Sequence, residues 1–363
     1  MKLKNILSYS RHFQAALQRR AEKNKARFKK YKKSKNKHNI IYRYRTSAEI
    51  SFDGIVKSME IVTAPIEFSL VTNPASVVQF INKLEEHYLA RTKVFIDLKN
   101  VEKLDYSAVT ILLSVMFSFK ARKIRFNGNF PNNKLLAKRL IDSDFFKYLG
   151  RQISEKLEYK VGKSNQIFTM GNKEVNSELG ELVMYEASKT IWGHPRSCKG
   201  LQRTILELMQ NTNNHAAVKQ KGEEHWWLSV NHDKVNKKVS FIFIDYGIGI
   251  FESLKYKPKT NQWFGWLDKL KTHLIHGGND EIFKLLLNGQ MHLTVTGQPY
   301  RGKGLPGIKE VFDRNQISEL KIISNNVYAD VVNGNYTTIK SEFNGTFVHW
   351  ELNENNVSAA WIN

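Results

Sequence analysis

Residues 201–216, LQRTILELMQNTNNHA, restrict the fold more than any other stretch of the chain. Leu201, Ile205, Leu208 and Met209 recur at i, i+4, i+7 and i+8, the spacing that puts side chains on one face of a helix. That face must lie on a core. Glu207, Asn211, Asn214 and His215 fall on the opposite face. Glu207 and Asn211 are one helical turn apart and project together. A carboxylate so placed can orient and deprotonate a water, and an amide oxygen can bind Mg²⁺, which takes hard oxygen ligands. Plain exposure of a polar face to solvent is the other reading of the same pattern.

Three further motifs follow in order. Residues 237–250 read KKVSFIFIDYGIGI. Val239–Ile244 is a β-rich run with Asp245 at its end, and Gly247 and Gly249 then permit a turn and close backbone approach. An ionised Asp only accepts hydrogen bonds, so it selects an amino group over a carbonyl. Next, residues 300–308 read YRGKGLPGI. Gly302, Gly304 and Gly307 before a helical segment, residues 308–312, suit a phosphate cradle of backbone N–H groups, with Arg301 and Lys303 as neutralising cations. This is not a Walker A loop, which closes on Gly-Lys-Ser/Thr. Pro306 is tolerated in a first helical turn. Last, residues 344–352 read NGTFVHWEL, a turn and then a strand.

This order resembles the ATPase superfamily of gyrase, heat-shock chaperones, histidine kinases and MutL (GHKL) over residues 175–355. Glu207-x-x-x-Asn211, followed by His215-Ala216, matches its N-box. Asp245-x-Gly247-x-Gly249 matches the G1 box and Gly302-x-Gly304 the G2 box. Thr346 falls where that superfamily has a Thr beside adenine. The resemblance implies a Bergerat-type α/β sandwich: a sheet of mixed strands with helices on one face. It also implies ATP as ligand, Mg²⁺ on Asn211, and adenine read by Asp245. His215, Gly247, Gly249, Arg301, Gly302, Lys303, Gly304 and Thr346 complete the ATP site, and Glu207 is its catalytic group. Residues 251–299 correspond to the mobile ATP lid.

The preceding part, residues 47–155, alternates strands and helices in an α/β (α+β) pattern. Strands are expected at residues 66–71, 94–98 and 123–126, and helices at 75–90, 107–120, 133–141 and 145–149. VFIDLKNVEKLDYSAVTILLSVM, residues 94–116, resembles the STAS domain of anti-sigma-factor antagonists. In regulatory members a Ser after the loop Asp is phosphorylated. Here that position is Tyr106, with Ser107 next as the expected helix N-cap, so a docking or dimerising scaffold is expected instead of a phospho-switch. Residues 156–175 are read as the linker to the ATP-binding domain, 176–363, or as a strand supplied to either unit.

Charge is concentrated at the start. Residues 1–45 carry sixteen Lys and Arg against one acidic residue, Glu22, which is +15 of the total +22. The basic tail, residues 1–46, reads either as a grip on nucleic acid or an anionic lipid surface or as a solubilising arm. A single cysteine, Cys198, excludes an internal disulfide and a Cys-rich zinc site. Apolar runs are too short to span a bilayer, so a cytoplasmic location is expected.

Three functions are consistent with these features. One is an Mg-dependent ATPase switch whose lid closure controls a protein partner through the STAS-like domain. Another is a protein serine kinase of the anti-sigma type. The third is a non-hydrolysing ATP-binding adaptor that docks on nucleic acid through its tail. Many superfamily members act as homodimers, so that state is expected as well.

Overall fold

The computed structural model describes residues 59–143, 145–150, 166–171, 175–215, 226–247, 249–251, 278–290 and 304–356. The basic tail lies outside the described residues, as do Arg301, Gly302, Lys303 and most of the 251–299 interval. From Ile55 onward the chain forms one compact unit. It is mixed α/β, with eight helices and ten strands among the described residues.

The N-terminal lobe has a parallel three-stranded sheet in the order β1–β3–β5, with β1 at Glu60–Thr63, β3 at Val94–Asp97 and β5 at Phe126–Gly128. A second parallel pair joins β2 (Glu67–Phe68) to β4 (Lys103–Leu104). The strand expected over 66–71 is thus only two residues long, and β5 starts at the residue where the expected 123–126 strand ended. Its helices are α1 (Pro74–Leu89), α2 (Tyr106–Ala121), α3 (Lys134–Asp142) and α4 (Phe145–Gly150). Ser107 is not the N-cap of α2. Asp105 is, accepting from the Ala108 N–H, because its carboxylate can reach the free first-turn donor. Ser107 instead lies buried, with its hydroxyl 2.5 Å from Asp105 Oδ1 and accepting from the Leu70 N–H at 2.9 Å.

The C-terminal lobe is built on a five-stranded sheet in the order β6–β7–β8–β10–β9. The strands are β6 (Gln166–Gly171), β7 (Trp226–Asp233), β8 (Lys238–Asp245), β9 (Ser318–Asp330) and β10 (Asn335–Asn353). The edge strand β6 falls within residues 156–175, so that of the two readings of this stretch it supplies a strand, here to the C-terminal sheet. Every pairing is antiparallel, so the expected mixed sheet is corrected. The reason is local: β7 and β8, and β9 and β10, are joined by turns too short for a parallel crossover. The turn expected at Asn344-Gly345 is also corrected. Those residues lie inside β10, where register shifts absorb the irregularity.

Period-two alternation assigns the two faces of this sheet. Phe241 and Phe243 of β8, with Trp226, Leu228, Val348 and Trp350 of its neighbours, share a core with α5 (Ser177–Trp192), α6 (Lys199–His215), α7 (Asn279–Leu287) and α8 (Gly304–Asp313). Ile242 and Ile244, with Trp227, Ile323 and Phe347, share the other core with the N-terminal lobe. Helix α2 is buried on nearly every side because it lies between its own lobe and this second face. The Phe117 ring meets Trp227 edge-on at 5.3 Å, Ser114 Oγ and Tyr246 Oη lie 2.5 Å apart, and Tyr328 donates to the Val71 carbonyl at 2.8 Å. Burial pushes the Tyr246 phenol far above its usual range.

Helix α7 lies within the interval expected to be a mobile lid. Phe283 and Leu287 instead anchor it in the helix-side core, because Ile282, Phe283, Leu286 and Leu287, spaced i, i+1, i+4 and i+5, give it one buried apolar face.

Phe117→Ala removes a buried aromatic from the junction of the lobes. We expect a loss of about 3–5 kcal/mol in urea unfolding, with Trp227 fluorescence reporting the same transition as far-UV circular dichroism.

Candidate functional site

Helix α6 runs Lys199–His215 with Leu201, Ile205, Leu208 and Met209 buried, as its spacing requires. Its opposite face carries Glu207 and Asn211, both half-buried. The backbone of His215 belongs to the same helix, whereas its side chain lies outside the described residues.

Asp245 ends β8 and points to the helix-covered face, since Phe243 and Phe241 alternate with it toward that core. It is only 8% exposed. Oδ1 accepts from the Gly247 N–H at 3.0 Å and the Thr346 N–H at 3.1 Å, and Oδ2 lies 3.4 Å from the Thr212 hydroxyl. A carboxylate in this environment is held by dipoles at fixed places and can serve as a rigid acceptor. Thr346 sits directly opposite Asp245 in the β8–β10 ladder.

Two glycines make the close approaches. A Cβ on Gly345, whose φ is +144°, would lie 1.9 Å from the Asp245 carbonyl oxygen, so only glycine lets the strands meet here. A Cβ on Gly304 would lie 2.6 Å from the Asn211 amide. The first residue of α8 therefore touches the Asn211 side chain on α6. Gly304 and Gly307 are the members of the expected glycine cradle among the described residues, and both lie within α8.

The structure makes two sets of contacts among these residues: Gly304 of α8 lies on Asn211 of α6, and Asp245 of β8 holds Gly247, Thr346 of β10 and Thr212, the residue after Asn211 on α6. Gly249 follows at φ +74° and lies against the Asn325 amide. Four contributors were missed from sequence. Thr212 bonds Asp245 and stands beside the Asn that was read. Gly345 was read only as part of a turn. Ser324 accepts from the Ile250 N–H at 2.9 Å and donates to the Gly345 carbonyl at 3.1 Å. Asn325 accepts from the Phe251 N–H at 3.1 Å. The polar run Ser324-Asn325-Asn326 inside an apolar strand was the available signal.

Burial raises the pKa of Glu207, only partly offset by Arg203 one turn earlier. Arg203 is itself drawn to Glu310 of α8 at 3.3 Å. A carboxylate with a raised pKa is the better proton acceptor. Among the described residues there is no group of three or more His, Cys, Asp or Glu side chains placed to hold a metal ion.

No protein-family model matches the chain, and no curated protein matches it significantly.

The Glu207 shift has a defined sign. Its folded-state pKa lies above the unfolded value of 4.5, so the protonated form is favoured in the fold. Its contribution is complete below that value and is lost as pH rises through the folded pKa. Glu207→Gln is therefore expected to raise the melting temperature at pH 7 and to lose that advantage below about pH 4, as measured by calorimetry across the range.

Proposed function

We propose that this chain is an ATP-binding regulatory protein of the GHKL type, a Mg-dependent ATPase switch. In this reading the C-terminal lobe is its Bergerat-type domain and the N-terminal lobe a STAS-like domain. The observation that carries it is the buried Asp245, paired with Thr346 across β8 and β10 and joined through Thr212 to α6, where the neighbouring Asn211 lies against Gly304 of α8. Asp245, buried and already holding two backbone N–H groups, accepts from the adenine amino group. That acceptor selects against guanine, which presents a carbonyl at the same place. The start of α8 supplies N–H groups to the phosphates.

Asn211 fits a Mg²⁺ ion as a single amide-oxygen ligand. Mg²⁺ typically takes one or two protein ligands and leaves the rest to phosphate and water, which agrees with the lack of a multi-carboxylate cage among the described residues. When bound, the ion neutralises phosphate charge. Glu207 takes the proton from a water that attacks the γ-phosphorus as the bond to the β,γ-bridging oxygen breaks, releasing ADP and phosphate.

The switch reading is favoured over phosphoryl transfer to this chain's own STAS-like lobe. Tyr106, at the family's acceptor position, borders the sheet face lined by Ser240 and Ile242, while Asp245 faces the other side. The sheet lies between them. Tyr246, the residue after Asp245, instead links the nucleotide side to α2 through Ser114. In the same proposal the basic tail supplies a salt-sensitive grip on nucleic acid.

Isothermal titration with ATP, ADP and GTP in Mg²⁺ tests the assignment. We expect ATP binding at micromolar affinity, weaker GTP binding, and at least a tenfold loss of ATP affinity in Asp245→Asn, on the scale of one charge-assisted hydrogen bond. Glu207→Ala should retain binding and lose phosphate release by about a hundredfold or more. Wild-type protein that binds no adenine nucleotide would falsify the assignment.

A further inference from the structure

On the face of the five-stranded sheet away from Asp245, a cleft of about 370 Å³ opens between the two lobes. Its titratable lining is Asp105 and Tyr106 at the start of α2, Lys238 of β8, Glu319 of β9, and His349 and Glu351 of β10. The volume is in the range of small-molecule sites.

His349 decides its chemistry. Its side chain is 8% exposed. Nδ1 lies 3.1 Å from the Glu319 carbonyl oxygen. A carbonyl only accepts, so Nδ1 carries the hydrogen. Burial lowers the ring's pKa against the pull of Glu351 and Asp105, so the ring is neutral and Nε2 is an acceptor. That acceptor faces Glu351 Oε1, another acceptor, at 3.9 Å, with no hydrogen-bond partner of its own among the described residues. Two acceptors at that separation call for a donor with more than one hydrogen.

Glu351 is already steadied by Lys238 at 3.1 Å and Ser240 at 3.0 Å, and Asp105 by Ser69, Ser107 and the Ala108 N–H. Three carboxylates of the lining, Asp105, Glu319 and Glu351, are set against the one ammonium of Lys238. Lys321, which also faces this region, is paired with Asp330 at 3.3 Å. A cation therefore fits better than an anion. The left-handed backbone of Glu319, φ +53°, sets the carbonyl against His349, a conformation uncommon for a residue other than glycine.

We propose that this cleft is a binding site for a small organic primary ammonium, whose N–H groups bridge His349 Nε2 and the Glu351 carboxylate. The site is separate from the nucleotide reading and stands or falls without it.

Imidazole ¹⁵N spectra of the full chain test it, with methylammonium, putrescine and tetramethylammonium as probes at matched ionic strength. His349 is assigned from its loss in His349→Gln or its perturbation in Glu351→Gln. The free protein should show His349 neutral at pH 7 with its proton on Nδ1. Methylammonium and putrescine should shift its Nε2 resonance saturably. Tetramethylammonium, with equal charge and no N–H, should not. Glu351→Gln should weaken putrescine binding at least tenfold. A His349 protonated at Nε2, a resonance indifferent to both primary ammoniums, or an equal response to tetramethylammonium would each overturn the proposal.

Discussion

The alternation of side chains along β8 is the constraint on which the molecule depends. Phe241, Phe243 and Asp245 point toward one helical layer, and Ile242, Ile244 and Tyr246 toward the other lobe. Both faces of the sheet are covered, so there is no solvent face on which an error of phase could be hidden. A slip of one residue would carry Asp245 into the apolar junction with α2 and Tyr246 into the nucleotide side. The two cores fix this register together, and β10 shares it through eight consecutive pairs from Thr346–Asp245 to Asn353–Lys238.

That shared register explains how distant functions coexist. The Asp245–Thr346 pair and the Ser240–Glu351 pair are rungs of one ladder, roughly 17 Å apart at 3.3–3.4 Å per residue. One rung belongs to the proposed nucleotide pocket and the other to the inter-lobe cleft, on opposite faces. The strands between them are wholly buried and packed by aromatic stacks, Phe241 on Trp350 at 5.2 Å and Trp226 on Phe243 at 5.8 Å. A ladder so packed is a stiff element.

Much of this was legible in sequence where periodicity and function coincide. Helix α6 and strand β8 each carry a clean pattern, with Asn211 on the polar face of the one and Asp245 at the end of the other, and Thr212 beside Asn211 joins the two elements. The polar Thr212 and Ser324 escaped notice because a hydroxyl leaves no periodic mark. Strand β7 was passed over because a largely buried run loses the alternation that identifies a strand, and β1 because it is only four residues long with one of them buried. Helix α7 was misread for a different reason: its position between two motifs suggested a lid, and its apolar face was given less weight than that position. Asp105 took the capping role assigned to Ser107 because a carboxylate can serve the backbone N–H and two hydroxyls at once.

The contact between Gly304 and Asn211 has a mechanical consequence. With the α8 terminus lying directly on the amide, a ligand entering between Gly304 and Asn211 has to part the two helices. Mg²⁺ alone holds its ligands at about 2.0–2.1 Å on every side. Occupation of the proposed pocket must therefore wedge α8 away from α6. That displacement would strain the Arg203–Glu310 tether between the same two helices, so the work of loading would be stored in the scaffold and not in the ligand.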